Sequence, residues 1–88
     1  MKYKIVNDEL RERFVLHSFT ISDCEDPAVY AAEPIYQWQQ TPAGKFCMEK
    51  ATDLTHHMHM DASLLGYRVV VTGYLTPKQA TFWALKRG

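Results

Sequence analysis

GYRVVVTGYL (66–75), TPKQ (76–79) and ATFWALKRG (80–88) close the chain, and the reading of this stretch decides the fold. Its two longer runs are rich in Val, Tyr, Phe, Trp and Leu, residue types that suit a pleated, half-buried surface. Between them Pro77 presets φ for a turn and has no N–H to give to a ladder. The pattern predicts a β-hairpin at the centre of a sheet. In its first strand Tyr67, Val69, Val71, Gly73 and Leu75 share one face, with Arg68, Val70, Thr72 and Tyr74 on the other. In the returning strand Thr81, Trp83 and Leu85 alternate with Ala80, Phe82, Ala84 and Lys86.

Upstream of this stretch, His56-His57-Met58-His59-Met60-Asp61 reads as a polar connector whose methionines pack against the sheet. Before it, Thr41-Pro42 is a helix-start signal, and Ala43, Phe46, Cys47, Ala51 and Leu54 recur as one apolar helical stripe. A competing reading of 35–50 pairs Tyr36 and Trp38 with Phe46 and Met48 as two strands around a Thr41-Pro42-Ala43-Gly44 turn. Asp26-Pro27 is another helix start, and Pro34 predicts a kink or restart at Glu33. RFVLHSFTIS (13–22) reads as a strand, with Val15, His17, Phe19 and Ile21 on one face and Phe14, Leu16, Ser18 and Thr20 on the other. Residues 7–13 read as a turn or half-turn of helix, preceded by Tyr3 and Ile5 in a short edge strand or arm.

The expectation is therefore one α+β domain over residues 1–88, in the order β-α-α-β-β. Its antiparallel sheet has three strands, or four if residues 2–6 pair, and carries one or two short helices. At 88 residues such a domain buries only about 60–65% of its unfolded surface. Ten basic residues balance ten acidic ones, so neither nucleic acid nor an anionic membrane is attracted in general. No apolar run approaches the roughly 20 residues that span a bilayer. The first eight residues have too short an apolar core for a signal peptide. Cys24 and Cys47, the only cysteines, read as reduced thiols in a cytoplasm.

Trp38-Gln39-Gln40-Thr41, Gly44-Lys45-Phe46, Met48-Glu49, Gly66-Tyr67-Arg68-Val69 and Phe82-Trp83-Ala84-Leu85-Lys86 resemble small uncharacterised proteins encoded by tailed bacteriophages. The resemblance covers residues 26–51 and 66–87. It implies a viral origin and the cytoplasm of a host cell, with association to a virion as a further location. It carries no activity, because its residues are mainly aromatic, small and capping types that report a fold.

Among function classes, the composition favours a non-enzymatic protein-interaction module that binds a host or phage protein or self-associates. A hairpin apolar on both faces needs a cover that one layer of short helices does not supply. That surface would hold Tyr74, Phe82 and Trp83, rimmed by Arg68 and Lys86, and no cofactor is expected. The alternative is a small metal-binding protein or metalloenzyme using His56, His57 and His59, since imidazole suits zinc, copper or nickel. Cysteine catalysis at Cys24 or Cys47 lacks a source of thiolate stabilisation. A nucleic-acid-binding regulator would use Arg68, Lys78, Lys86 and Arg87 with Tyr74 or Trp83 as stacking platforms. The acidic run Asp23-Glu25-Asp26 opposes it.

Overall fold

Four strands and three helices follow one another as β1 (Tyr3–Val6), β2 (Glu9–Ser22), α1 (Pro27–Gln39), α2 (Pro42–Lys50), β3 (Thr52–Asp61), β4 (Gly66–Leu75) and α3 (Pro77–Lys86). The computed structural model describes residues 2–87, with Leu64 by its backbone alone; Met1 and Gly88 lie outside it. The strands make one antiparallel sheet in the order β1-β2-β4-β3. The α+β class and the antiparallel sheet hold, and the observed order β-β-α-α-β-β-α roughly matches β-α-α-β-β, with the optional fourth strand present and a helix at the end. Among the described residues no helix is long and apolar enough to cross a membrane.

Two elements differ from the sequence expectation. Residues 77–86 are a helix, so β4 has its hairpin partner upstream, in β3. Thr76 accepts the Gln79 N–H at its hydroxyl, and the Gln79 side chain accepts the Thr76 N–H. Two of the first-turn donors are thus satisfied by a capping box, and Pro77 fills the position where a missing N–H costs nothing. Residues 52–61, read as a helix end and a connector, are an edge strand instead. A 3-10 turn, Ala62–Leu64, and left-handed Leu65 (φ 51°) link it to β4.

At the other sheet edge, Val6 pairs with Glu9 across a two-residue loop. Asn7 and Asp8 both have positive φ, 52° and 66°, which matches the strand twist and suits Asn and Asp better than most residues. The polar 7–13 segment is therefore a tight turn followed directly by strand.

β2 also departs from simple alternation. Val15 pairs with Thr72 and His17 with Val71, so Leu16 is an extra residue in a β-bulge. The bulge turns Leu16 into the core and brings His17, Phe19 and Ile21 onto the same face as Phe14, while Val15 points out. Leu16, Trp38, Ala43, Cys47, Val71, Leu75 and Trp83 form the main core, flanked by Phe14, Phe46, Ala51, Leu54 and Ala80. All three helices contribute to that one side. The other side of the sheet is open, as antiparallel sheets allow.

α1 runs through Pro34 without a break, although the proline removes the bond to the Tyr30 carbonyl. Ala31 and Trp38 are its buried residues, on the side facing the sheet. α2 is a helix over 42–50, so the two-strand reading of 35–50 fails. The Thr41 hydroxyl caps α2 by accepting the Gly44 N–H at 3.0 Å.

Candidate protein-interaction surface

The five residues assigned to an interaction surface separate into three places. Trp83 is 5% exposed, inside the core, with its ring centroid 5.7 Å from that of Phe14. Tyr74 and Arg68 lie on the open sheet face: the Lys4 ammonium sits 4.9 Å from the Tyr74 ring, and Arg68 faces Asp61 at 3.9 Å. Phe82 and Lys86 lie on the outer side of α3. A helix turns consecutive residues about 100° apart, so Phe82 and Trp83 part company as they would on a strand, but toward different neighbours.

The open face is not the apolar surface that a two-sided hairpin implied. Ser18, Thr20, Thr55, His57, His59 and Arg68 populate it, and the Thr55 and Thr72 hydroxyls hydrogen-bond across it at 3.3 Å. Water can cover such a face. Val15 is an exposed apolar residue there; Val29, Tyr30, Tyr36, Met48, Phe82 and Leu85 are exposed on the helix layer.

There, α2 and α3 lie side by side and leave a groove of about 690 Å³. Phe46, Pro77 and Phe82 line it, with Phe82 46% exposed. Lys50 and Lys78 stand at its rim, and Lys86 reaches over the Phe46 ring at 5.9 Å. Glu49 offsets Lys50 at 3.4 Å. Among the described residues no carboxylate lies within ion-pair distance of Lys45 or Lys78. Glu9 also lines the groove, so its rim carries one carboxylate among the lysines; an apolar floor with this mainly cationic rim suits a ligand that carries apolar anchors flanked by carboxylates. Phe82 and Lys86 were legible as candidates; Phe46 and Lys50 were not, because the groove exists only once residues 77–86 are helical.

The histidines do not converge. In the β3–β4 ladder His57 and His59 oppose Val70 and Arg68 on the open face, whereas His56 opposes Val71 and turns toward α1. Strand alternation thus separates His56 from the other two. Among the described residues no group of three His, Cys, Asp or Glu side chains could hold a metal ion. Asp61 is held below the usual carboxylate range, first by the Ser63 hydroxyl at 2.6 Å and then by the Ser63 N–H, Arg68 and His59. Of the basic residues considered for nucleic acid, Arg68 lies near the start of β4 and Lys78 just beyond its other end. Cys47 is fully buried, and burial pushes its thiol up to about 11, the wrong direction for a nucleophile.

A second cleft, of about 490 Å³, opens between the β2 bulge, the α1–α2 junction and the end of α3. Its wall is the His17 ring stacked on Trp38, with centroids 5.5 Å apart and planes 8° from parallel. Burial lowers the His17 pKa. Because the folded pKa lies below the unfolded one, about 6.5, the unfolded chain takes up the proton first. The stability that His17 contributes is complete above that value and is lost as pH falls below it. Urea midpoints measured between pH 7.5 and pH 5 are expected to decline, with a shallower slope for His17→Gln. An unchanged slope in that variant would assign the decline to another group.

Set against known protein families, curated proteins and solved structures, the chain matches none of them.

Proposed function

We propose that this chain is a non-enzymatic protein-interaction module that docks a protein segment in the α2–α3 groove. The bacteriophage connection rests on the sequence resemblance alone; within it, the partner is a host protein, a phage protein or a further copy. The observation that carries the proposal is the groove itself: the Phe46, Pro77 and Phe82 surface left open beneath Lys50, Lys78 and Lys86. In water this surface costs free energy that a partner's apolar side chains would recover, at about 25 cal/mol per Å² buried. The lysines add selectivity, since a basic segment meets repulsion where an acidic one is attracted. An amphipathic helix laid in the groove is the recognition mode that fits.

The test is a titration of isotope-labelled protein with a synthetic amphipathic helix bearing Leu and Tyr anchors among Glu residues. Amide shifts are expected around Phe46, Pro77 and Phe82. Phe82→Ser should weaken binding by about tenfold or more, the ordinary loss for an anchor ring worth at least roughly 1.4 kcal/mol. Shifts confined to the open sheet face, or none at millimolar peptide, would refute the assignment.

A further inference from the structure

The formal neutrality of the chain conceals a strong polarity along its length. β2 spans 14 residues, about 45 Å at a strand's rise, and matches the long dimension of 43 Å. The groove lies where β2 begins, next to Glu9. Where β2 ends, Asp23, Glu25, Asp26, Glu33 and Asp61 gather on the terminal loop, α1 and the end of β3, with Arg68 as the neighbouring cation among the described residues. The rest of the chain holds the other nine cations against Asp8, Glu9, Glu12, Glu49 and Asp53, a net positive balance. The two halves carry opposite sign.

The acidic half also presents an unpartnered helix face. α1 turns Ala31 and Trp38 inward, which leaves Val29, Glu33 and Tyr36 on its outer side and Tyr30 on its flank. Val29, Tyr30 and Tyr36 are 62–63% exposed, more than Phe82 in the groove. The Gln37 amide donates to Glu33 at 3.3 Å and holds that carboxylate on the same side. Apolar anchors at i and i+7, Val29 and Tyr36, around Glu33 at i+4 are the chemistry the lysine-rimmed groove calls for. The chain thus carries both a socket and its complement, on opposite halves.

We infer that the protein self-associates head to tail, with the outer face of α1 in one copy seated in the α2–α3 groove of the next. This rests on the groove being a docking site, as proposed above, and names its occupant. The contact is heterologous, since the two patches differ, so each added copy leaves one socket and one helix face free. Growth into short chains follows, and neutral net charge leaves little long-range repulsion to oppose it. Screening should weaken the contact, because raising salt from about 0.1 M to 1 M cuts the Debye length from roughly 10 Å to 3 Å.

Sedimentation velocity on three samples tests the inference. Wild type should show mass rising with concentration past the dimer, less so in high salt. Phe82→Glu blocks the socket, and Glu33→Lys with Tyr36→Ser blocks the helix face; both sites are exposed, and circular dichroism checks each fold. Each variant alone should be monomeric, while their equimolar mixture should give a dimer and nothing larger, because only one productive contact remains. Phe82→Ser serves in place of Phe82→Glu should the charge disturb α3. A wild type monomeric at millimolar concentration would overturn the inference, and so would association that the mixture fails to restore, as a symmetric interface predicts. If a wild-type monomer still binds the synthetic amphipathic peptide in the groove, the docking function stands and only the self-association is wrong.

Discussion

Trp83→Ala is expected to leave no cooperatively folded protein at 25 °C, whereas Phe82→Ala, one position earlier on α3, keeps the fold. Trp83 is 5% exposed and joins α3 to the core, packing on Phe14 while the Arg87 guanidinium covers its ring at 4.3 Å. Truncating a buried Trp or Phe to Ala costs about 3–5 kcal/mol, and a domain of this size has on the order of 5 kcal/mol in total. The indole N–H is buried without a hydrogen-bond partner among the described residues. Ring area and volume, not a polar contact, therefore supply the stabilisation. Trp83→Phe should accordingly retain a cooperative transition at a lower urea midpoint. Phe82, at 46% exposure, loses little on truncation. Equal destabilisation by the Phe82 and Trp83 alanine variants would mean that α3 buries both rings, leaving no groove.

The contrast between those neighbours marks where the sequence was readable. β4 was read correctly to the face: Val69, Val71 and Leu75 are buried as alternation required. The helix start at Thr41-Pro42 was also legible. Thr76-Pro77 is the same signal, strengthened by Gln79 three residues after the cap, yet Thr81, Phe82 and Trp83 carry strand propensity and favoured the hairpin. The capping hydrogen bonds outweigh that weak preference once α3 has a sheet to pack on. β3 was hidden for the opposite reason. His57 and His59 face water, and Met58 is only half-buried, so an edge strand with a polar outer face lacks the apolar alternation that advertises a strand. The bulge at Leu16 is invisible to any period-2 count, because one inserted residue exchanges the faces on either side of it.

The candidate site was less legible than the fold. Its parts come from α2 and α3, which are apart in sequence and meet only because β3 and β4 intervene as a hairpin. The polarity of charge has the same origin. Asp23, Glu25 and Asp26 are adjacent in the chain and could be seen at once, but Lys45, Lys50, Lys78 and Lys86 become one group only in the folded layer.

Gly44→Ala should destabilise the protein by roughly 2 kcal/mol or more, against the rule that alanine strengthens a helix. In an exposed helix interior the exchange gains about 1 kcal/mol. Gly44 is in the first turn of α2, which folds back on the end of α1 after only Gln40 and Thr41. A Cβ there would stand 1.8 Å from the Trp38 carbonyl oxygen and 2.6 Å from its carbon. Those atoms are backbone, and the oxygen already accepts the Thr41 N–H at 3.0 Å and its hydroxyl at 2.6 Å. Neither helix can move aside alone without breaking the turn that joins them. The strain would also shift Trp38, and with it the stacked His17, so the near-ultraviolet dichroism of the indole should change. Gly73 is the control. Its added Cβ would meet side-chain atoms of Leu16, Ala51 and Leu54 at 3.0–3.1 Å, which a shift of a few tenths of an ångström relieves, the two leucine tips by rotating and Ala51 by a small movement of the loop after α2. Thermal melting should therefore rank wild type and Gly73→Ala together, with Gly44→Ala lower by on the order of 10 °C. A Gly44→Ala variant as stable as wild type would mean that α1 and α2 are splayed wider than the Trp38–Gly44 approach allows, and that the cleft beside His17 has a different wall.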